Sequence, residues 1–254
     1  MLGLHSHVTH DKIFVDDLSC TAPTHSISLD GTGDYLNLAS AISLDIEIFG
    51  MNISISFWAK RTDNTSGEAV VIGNSSHNHW SRLYFGDEGD NLGIESMQNG
   101  EEAFGDVSQD TNWHHYVITS RGDGGPSGGE ALIEMYEDGA SITSANTNFG
   151  NVFGKKLIFD RIGNDANTGT QEFKGLLHQL AIWTEVLDDI AVEAMYNSGS
   201  PICLQANSGG YINSGQLLHL WKFSENTGST TADEIGGITG TFVGNTAFST
   251  DIPS

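Results

Sequence analysis

The sequence predicts an all-β protein, a two-sheet antiparallel sandwich with one short helix near residues 188–197. Three observations predict it. Apolar runs of strand length recur along the chain, separated by clusters of Gly, Asn, Asp and Ser. Helix-period stretches are nearly absent outside residues 187–198. The length of 254 residues, with 31 Gly and 4 Pro, is enough to bury a full sandwich core.

Taken in order, the elements follow from local chemistry. Ile53–Lys60 (ISISFWAK) alternates apolar and small polar residues, the period of a strand. Trp113–Thr119 (WHHYVIT) is a second strand, and Glu137-Asp138-Gly139 is a hairpin turn with Asp138 as turn former. From Phe173 the run FKGLLHQLAIW is too apolar for a solvated loop and reads as a long strand. It passes into a short amphipathic helix: Asp188 or Asp189 caps the first turn, Ile190, Ala194 and Met195 share a face, and Gly199 with Pro201 stops it. Further on, Leu218, Leu220, Trp221 and Phe223 require burial.

Five of these segments, in this order, resemble the laminin-G-like, concanavalin-A-like lectin/glucanase jelly-roll domains. They are Ser28–Leu36 (SLDGTGDYL), Ile53–Lys60, Trp113–Thr119, Tyr136–Gly139 (YEDG) and Ile162–Asn164 (IGN), and the Phe173–Pro201 ending is similar to the family's closing strand and helix. The resemblance covers residues 26–200, and it implies a jelly roll of a kind that mostly binds and rarely catalyses. Residues 217–253 (LLHLWKF…DIP) resemble the acidic, Gly-rich tail of laminin-G-like proteins from marine bacteriophage virions. The chain therefore divides into an N-terminal arm (1–25), the jelly roll (26–200) and a C-terminal segment (201–254). That last segment either completes its own sandwich, the preferred reading, or adds a strand to a neighbouring subunit.

Charge narrows the partners. Ten Lys and Arg against 33 Asp and Glu leave a net charge of −23. Such a field repels nucleic acid and anionic membranes, and no apolar run approaches the ~20 residues that span a bilayer. The first residues, MLGLHSHVTHDKIF, lack the basic start and apolar core of a secretory signal. A virion protein made in the host cytoplasm reconciles that with a surface-displayed family; an extracellular protein is the alternative. Cys20 and Cys203 flank the jelly roll; the expectation is two free thiols, with a disulfide as the alternative.

The resemblance also implies a calcium ion on the early Asp-Gly turn, with Asp30, Gly31 and Asp34 matching it. The closing strand departs from the family here, because His178 and Gln179 stand where acids are common, leaving only the Gln179 carbonyl as a ligand. A structural turn without metal is the preferred reading, and no other cofactor is expected. For a lectin-like role the candidates are Trp80, Tyr84, Asp87, Asp90 and Asn91, an aromatic surface beside hydrogen-bonding acids and amides. Assembly contacts fall on Phe14, Val15 and Leu18 of the arm and on Trp221 and Phe223 of the tail.

Enzymatic readings find little. The paired-carboxylate strand of jelly-roll glucan hydrolases is absent, as is a Ser-His-Asp pattern with a nucleophile elbow. His114 and His115 are adjacent on a strand, so they point to opposite faces and cannot chelate one ion. The pairs His5/His7 and His77/His79 read as loop histidines, and Arg121-Gly122-Asp123 as a chance tripeptide in a Gly-rich loop. The leading expectation is a non-enzymatic virion structural or surface protein, a capsid decoration or tail component. It would associate with other virion subunits or with itself and adhere to host-surface glycans. A carbohydrate-binding module is the alternative, and a polysaccharide hydrolase comes last.

Overall fold

The computed structural model describes residues 20–45, 52–62, 68–76, 81–86, 90–96, 101–122, 131–142, 148–149, 156–165 and 171–254. In chain order the strands are β1 (Ser26–Asp30), β2 (Tyr35–Asp45), β3 (Ile53–Arg61), β4 (Ala69–Gly73), β5 (Ser81–Phe85), β6 (Asn91–Ser96), β7 (Glu101–Asp106), β8 (Trp113–Gly122) and β9 (Ala131–Glu137). They continue as β10 (Ala140–Ser141), β11 (Asn148–Phe149), β12 (Lys156–Ile162), β13 (Lys174–Trp183), helix α1 (Asp189–Tyr196), β14 (Leu217–Trp221), β15 (Thr230–Ala232), β16 (Thr239–Val243) and β17 (Ala247–Ser249).

Two sheets result. One has the order β10-β9-β8-β3-β13-β1-β17, with β11 beside β9 and β14 beside β13; the other runs β15-β16-β2-β12-β4-β5-β6-β7. Every strand pair among the described residues is antiparallel. The result is the two-sheet sandwich expected of the alternating apolar pattern, of the jelly-roll type that the resemblance implies. Ile55, Phe57, Tyr116, Ile118 and Leu177 from the first sheet meet Leu36, Leu83, Phe85, Ile94 and Phe159 from the second in one core. A second apolar layer lies on the outer face of the first sheet, where Val117, Ala181 and Trp183 are covered by Ala191, Val192 and Met195 of α1 and by Leu204 and Tyr211.

The helix starts where its capping chemistry dictates. The Asp188 side chain accepts from the Ala191 N–H at 2.9 Å, and Asn197 ends the helix in the left-handed conformation at φ 45°. Its buried face differs from the expected one: Ala191, Val192 and Met195 point at the sheet, while Ile190 is 65 % exposed. A two-turn helix offers two overlapping i, i+4 stripes, and contact with Val117 and Trp183 selects the one containing 191 and 195.

Residues 201–254 contribute strands to both sheets of their own chain: β14 pairs with β13, β16 with β2 and β17 with β1. Trp221 and Phe223 are therefore 0 % exposed in the main core. This corrects their expected role as assembly contacts, because a side chain already buried in its own sandwich has no surface left for a neighbour. Phe14, Val15 and Leu18 lie outside the described residues. The Trp221→Ala variant is expected to lose about 3–5 kcal/mol in urea unfolding, with an unchanged oligomeric state.

Cys20 and Cys203 are joined in a disulfide with Cα atoms 5.8 Å apart, in place of the expected thiols. The disulfide is the alternative of the two sequence readings, and a separation of 183 residues does not by itself fix the proximity it needs. No helix among the described residues is long and apolar enough to cross a membrane.

Candidate functional site

The early Asp-Gly turn is occupied by the chain itself. Asp34 is buried, and its oxygens accept from Asp30 N at 2.9 Å and from Asn245 N at 2.5 Å. Asp30 accepts from Thr32 N at 2.8 Å and from the Asn245 side-chain amide at 3.1 Å; the latter bond is the main reason its carboxyl titrates below the usual range. Gly31 takes φ 77° at the corner. Gln179 is not brought to this turn: Asp30 pairs with Lys174 on β13, five residues before Gln179, whose side-chain amide donates to Ile202 O at 2.7 Å. The proposed calcium set is thus divided, and the tail residue Asn245 supplies the polar contacts at the Asp-Gly turn.

Of the lectin-like candidates, Trp80 and Asp87 lie outside the described residues. Tyr84 is 1 % exposed on the outer face of the second sheet, with the Arg82 guanidinium 4.3 Å above its ring. A ring covered by a guanidinium cannot stack on a sugar, which corrects that expectation. Asp90 and Asn91 sit at the β5–β6 end and bond to one another at 3.0 Å. Arg82 is the hub of this face. It bonds Glu95 at 2.5 Å and Glu68 through two nitrogens, with Asp165 at 4.0 Å. Burial opposes its charge, but the Glu68 and Glu95 carboxylates outweigh that and hold it firmly protonated.

The histidines follow the two-face rule. His115 is buried behind β8, bonded to Ser56 Oγ at 2.8 Å, and desolvation lowers it to about 3. His114 faces the β9–β10 turn, where Asp138 (2.7 Å) and Asp110 (2.9 Å) hold its two nitrogens. Asp138 is the larger cause of its rise to about 9. Asp138 adopts φ 52° in that turn and so is a turn former as well as an ion-pair partner.

A cleft of about 360 Å³ opens where β8 and β9 meet the start of α1, lined by Arg121, Glu134, Leu187, Asp188, Asp189 and Ile190. Tyr136 forms part of its wall chemistry: the hydroxyl lies 2.8 Å from Asp189 Oδ1 and 3.2 Å from Glu134 Oε2. Burial, then the bond to Asp189, raises that phenol far above its usual range, so it stays a donor. Asp188 is committed to the helix cap, and Ile190 lays an exposed apolar edge beside the acids. The cleft thus offers carboxylate acceptors, a guanidinium and an apolar step within reach of one small ligand. Both Glu134 and Asp189 are anchored to one phenol on one wall.

In the sequence Arg121 stands only as part of a chance tripeptide, and Glu134 carries no signal of its own. Neither was connected to the helix cap, because the cleft arises only when α1 folds back on the sheet. Among the described residues no cluster of three or more His, Cys, Asp or Glu has the geometry to hold a metal ion.

Residues 30–192 match the family model described as the concanavalin A-like lectin/glucanases superfamily. Among solved structures, the fold is similar to a protein from Bacteroides ovatus described as carbohydrate-binding, at 15 % identity over 88 % of this chain and a TM-score of 0.52. The chain spans 61 % of that protein. It is also similar to the heptameric SAP-like pentraxin from Limulus polyphemus, at 15 % identity over 86 % of this chain and 95 % of that one, with a TM-score of 0.51. At these identities the likeness is one of fold. No curated protein sequence matches the chain.

Proposed function

The chain belongs to the concanavalin A-like lectin/glucanases superfamily, and from that membership we propose that it is a non-enzymatic glycan-recognition module whose binding site is the cleft at the start of α1. The observation that carries the reading is the convergence of Arg121, Glu134 and Asp189 beside the exposed Ile190. Sugar hydroxyls donate to carboxylates and accept from guanidinium, while the C–H face of a pyranose ring packs on apolar surface. The cleft carries more acid than base, so neutral sugars fit it better than sialylated or sulfated ones.

The setting we propose is the surface of a virion. Support comes from the resemblance of residues 217–253 to phage tail segments and from the −23 charge, which keeps a crowded surface soluble. Glycan-array screening of the full chain tests the binding. Signals on neutral glycans are expected, and the Glu134→Gln/Asp189→Asn variant should weaken them about tenfold or more at unchanged melting temperature. A flat array, or binding indifferent to both substitutions, overturns the assignment. For the setting, the chain should appear at fixed copy number in purified particles.

A further inference from the structure

Residues 20–25 cross the outer face of the first sheet and cover His178. Pro23 is buried there, and its carbonyl lies near the ring. His178 is 0 % exposed, and the strap sets the Pro23 backbone against its ring as a polar contact. It pairs across the sheet with Trp58, and Trp113 approaches edge-on at 6.2 Å. A buried imidazole whose polar contact comes from the segment that covers it depends on that segment for its dry site, so the segment must be held firmly.

The hold has three parts. The Cys20–Cys203 disulfide ties one end of the segment. Next, Gln179 stands at φ 50° in a bulge of β13 and donates 2.7 Å to Ile202 O, so the loop carrying Cys203 is pinned to the strand that bears His178. Finally, Thr24 N donates to Ser224 Oγ at 3.0 Å, a tie at the other end before β1 begins. The charged groups nearby are already engaged: Asp251 accepts from Trp113 Nε1 at 2.8 Å and from Lys60 Nζ at 2.7 Å.

We propose that residues 20–25 are a redox-locked strap: the disulfide closes it over the His178–Trp113 recess, and reduction opens that recess to solvent. A dithiol supplies the two electrons, becoming a disulfide itself while Cys20 and Cys203 become thiols. Reduced, the segment keeps the Thr24 bond but loses its covalent anchor, and local opening becomes accessible without unfolding the sandwich. The strap is therefore open in a reducing compartment and shut in an oxidising one.

The test is carbethoxylation of histidine by diethylpyrocarbonate, read at each residue by peptide mass spectrometry, on the full chain before and after dithiothreitol. His178 should react more than about tenfold faster once reduced, while His115, held against Ser56 Oγ and the Trp58 ring, stays protected. Pro23→Gly, oxidised, should speed modification of His178 with the disulfide intact. Equal rates at His178 in the oxidised and reduced chain overturn the proposal. So does parallel deprotection of His115, which would make the disulfide a brace for the whole fold.

Discussion

Replacing Arg82 by Met is expected to destabilise the protein by about 3–5 kcal/mol, the cost of leaving buried carboxylates without their cation. The side chains of Arg82, Glu95 and Asp165 are 6 %, 5 % and 4 % exposed, so none of them recovers its hydration when the guanidinium goes. Glu68 reaches solvent and can rehydrate, which keeps the loss from being larger. Urea unfolding at pH 7 measures the effect. The double variant Arg82→Met/Glu95→Leu should recover part of the loss, because it removes a stranded charge together with its partner. A loss below about 1 kcal/mol would mean that solvent reaches this face.

Acid should begin to destabilise the protein before its carboxylates are neutralised. His115 and His178 are lowered to about 3 and about 4 by desolvation, against about 6.5 in an unfolded chain. Below pH 6.5 the unfolded state therefore binds more protons than the folded one, and stability falls with falling pH until the folded values are reached. Between pH 6.5 and 4 each residue removes roughly 3 kcal/mol, and together they should lower the melting temperature by roughly 10–20 °C. His114 acts in the opposite sense. Raised to about 9, chiefly by its bond to Asp138, it contributes stability that is complete below pH 6.5 and lost as pH rises through 9. Melting temperature against pH should thus peak near neutrality. His178→Gln should flatten the acid limb and leave the alkaline limb alone, and His114→Gln should do the reverse.

Much of the fold was legible because it rests on local periodicity. The alternation in Ile53–Lys60 and the apolar run at 176–183 place β3 and β13 in the sheet, where they pair residue by residue. The helix was readable from the capping Asp188 or Asp189 and the stop at Gly199 and Pro201, since a cap needs only neighbours in sequence. The site was less legible. Tyr84 reads as an exposed aromatic beside acids, and only the position of Arg82 on the same face shows that it is covered. Glu134 and Asp189 are 55 positions apart by their numbers, and nothing local links them to Tyr136.

By itself the sequence determined what depends on near neighbours: an all-β chain, its turns, its capped helix and its negative charge. Only the tertiary structure decided what depends on distant segments meeting. It put Trp221 and Phe223 into the core of their own sandwich, set Asn245 against Asp30 and Asp34 at the turn where the resemblance offered an ion, joined Cys20 to Cys203, and turned Ile190 outward to edge a cleft. The physical reason is the same in each case. Backbone periodicity and capping are settled within a few residues, whereas burial and partner choice follow from how whole strands stack, which no local pattern encodes.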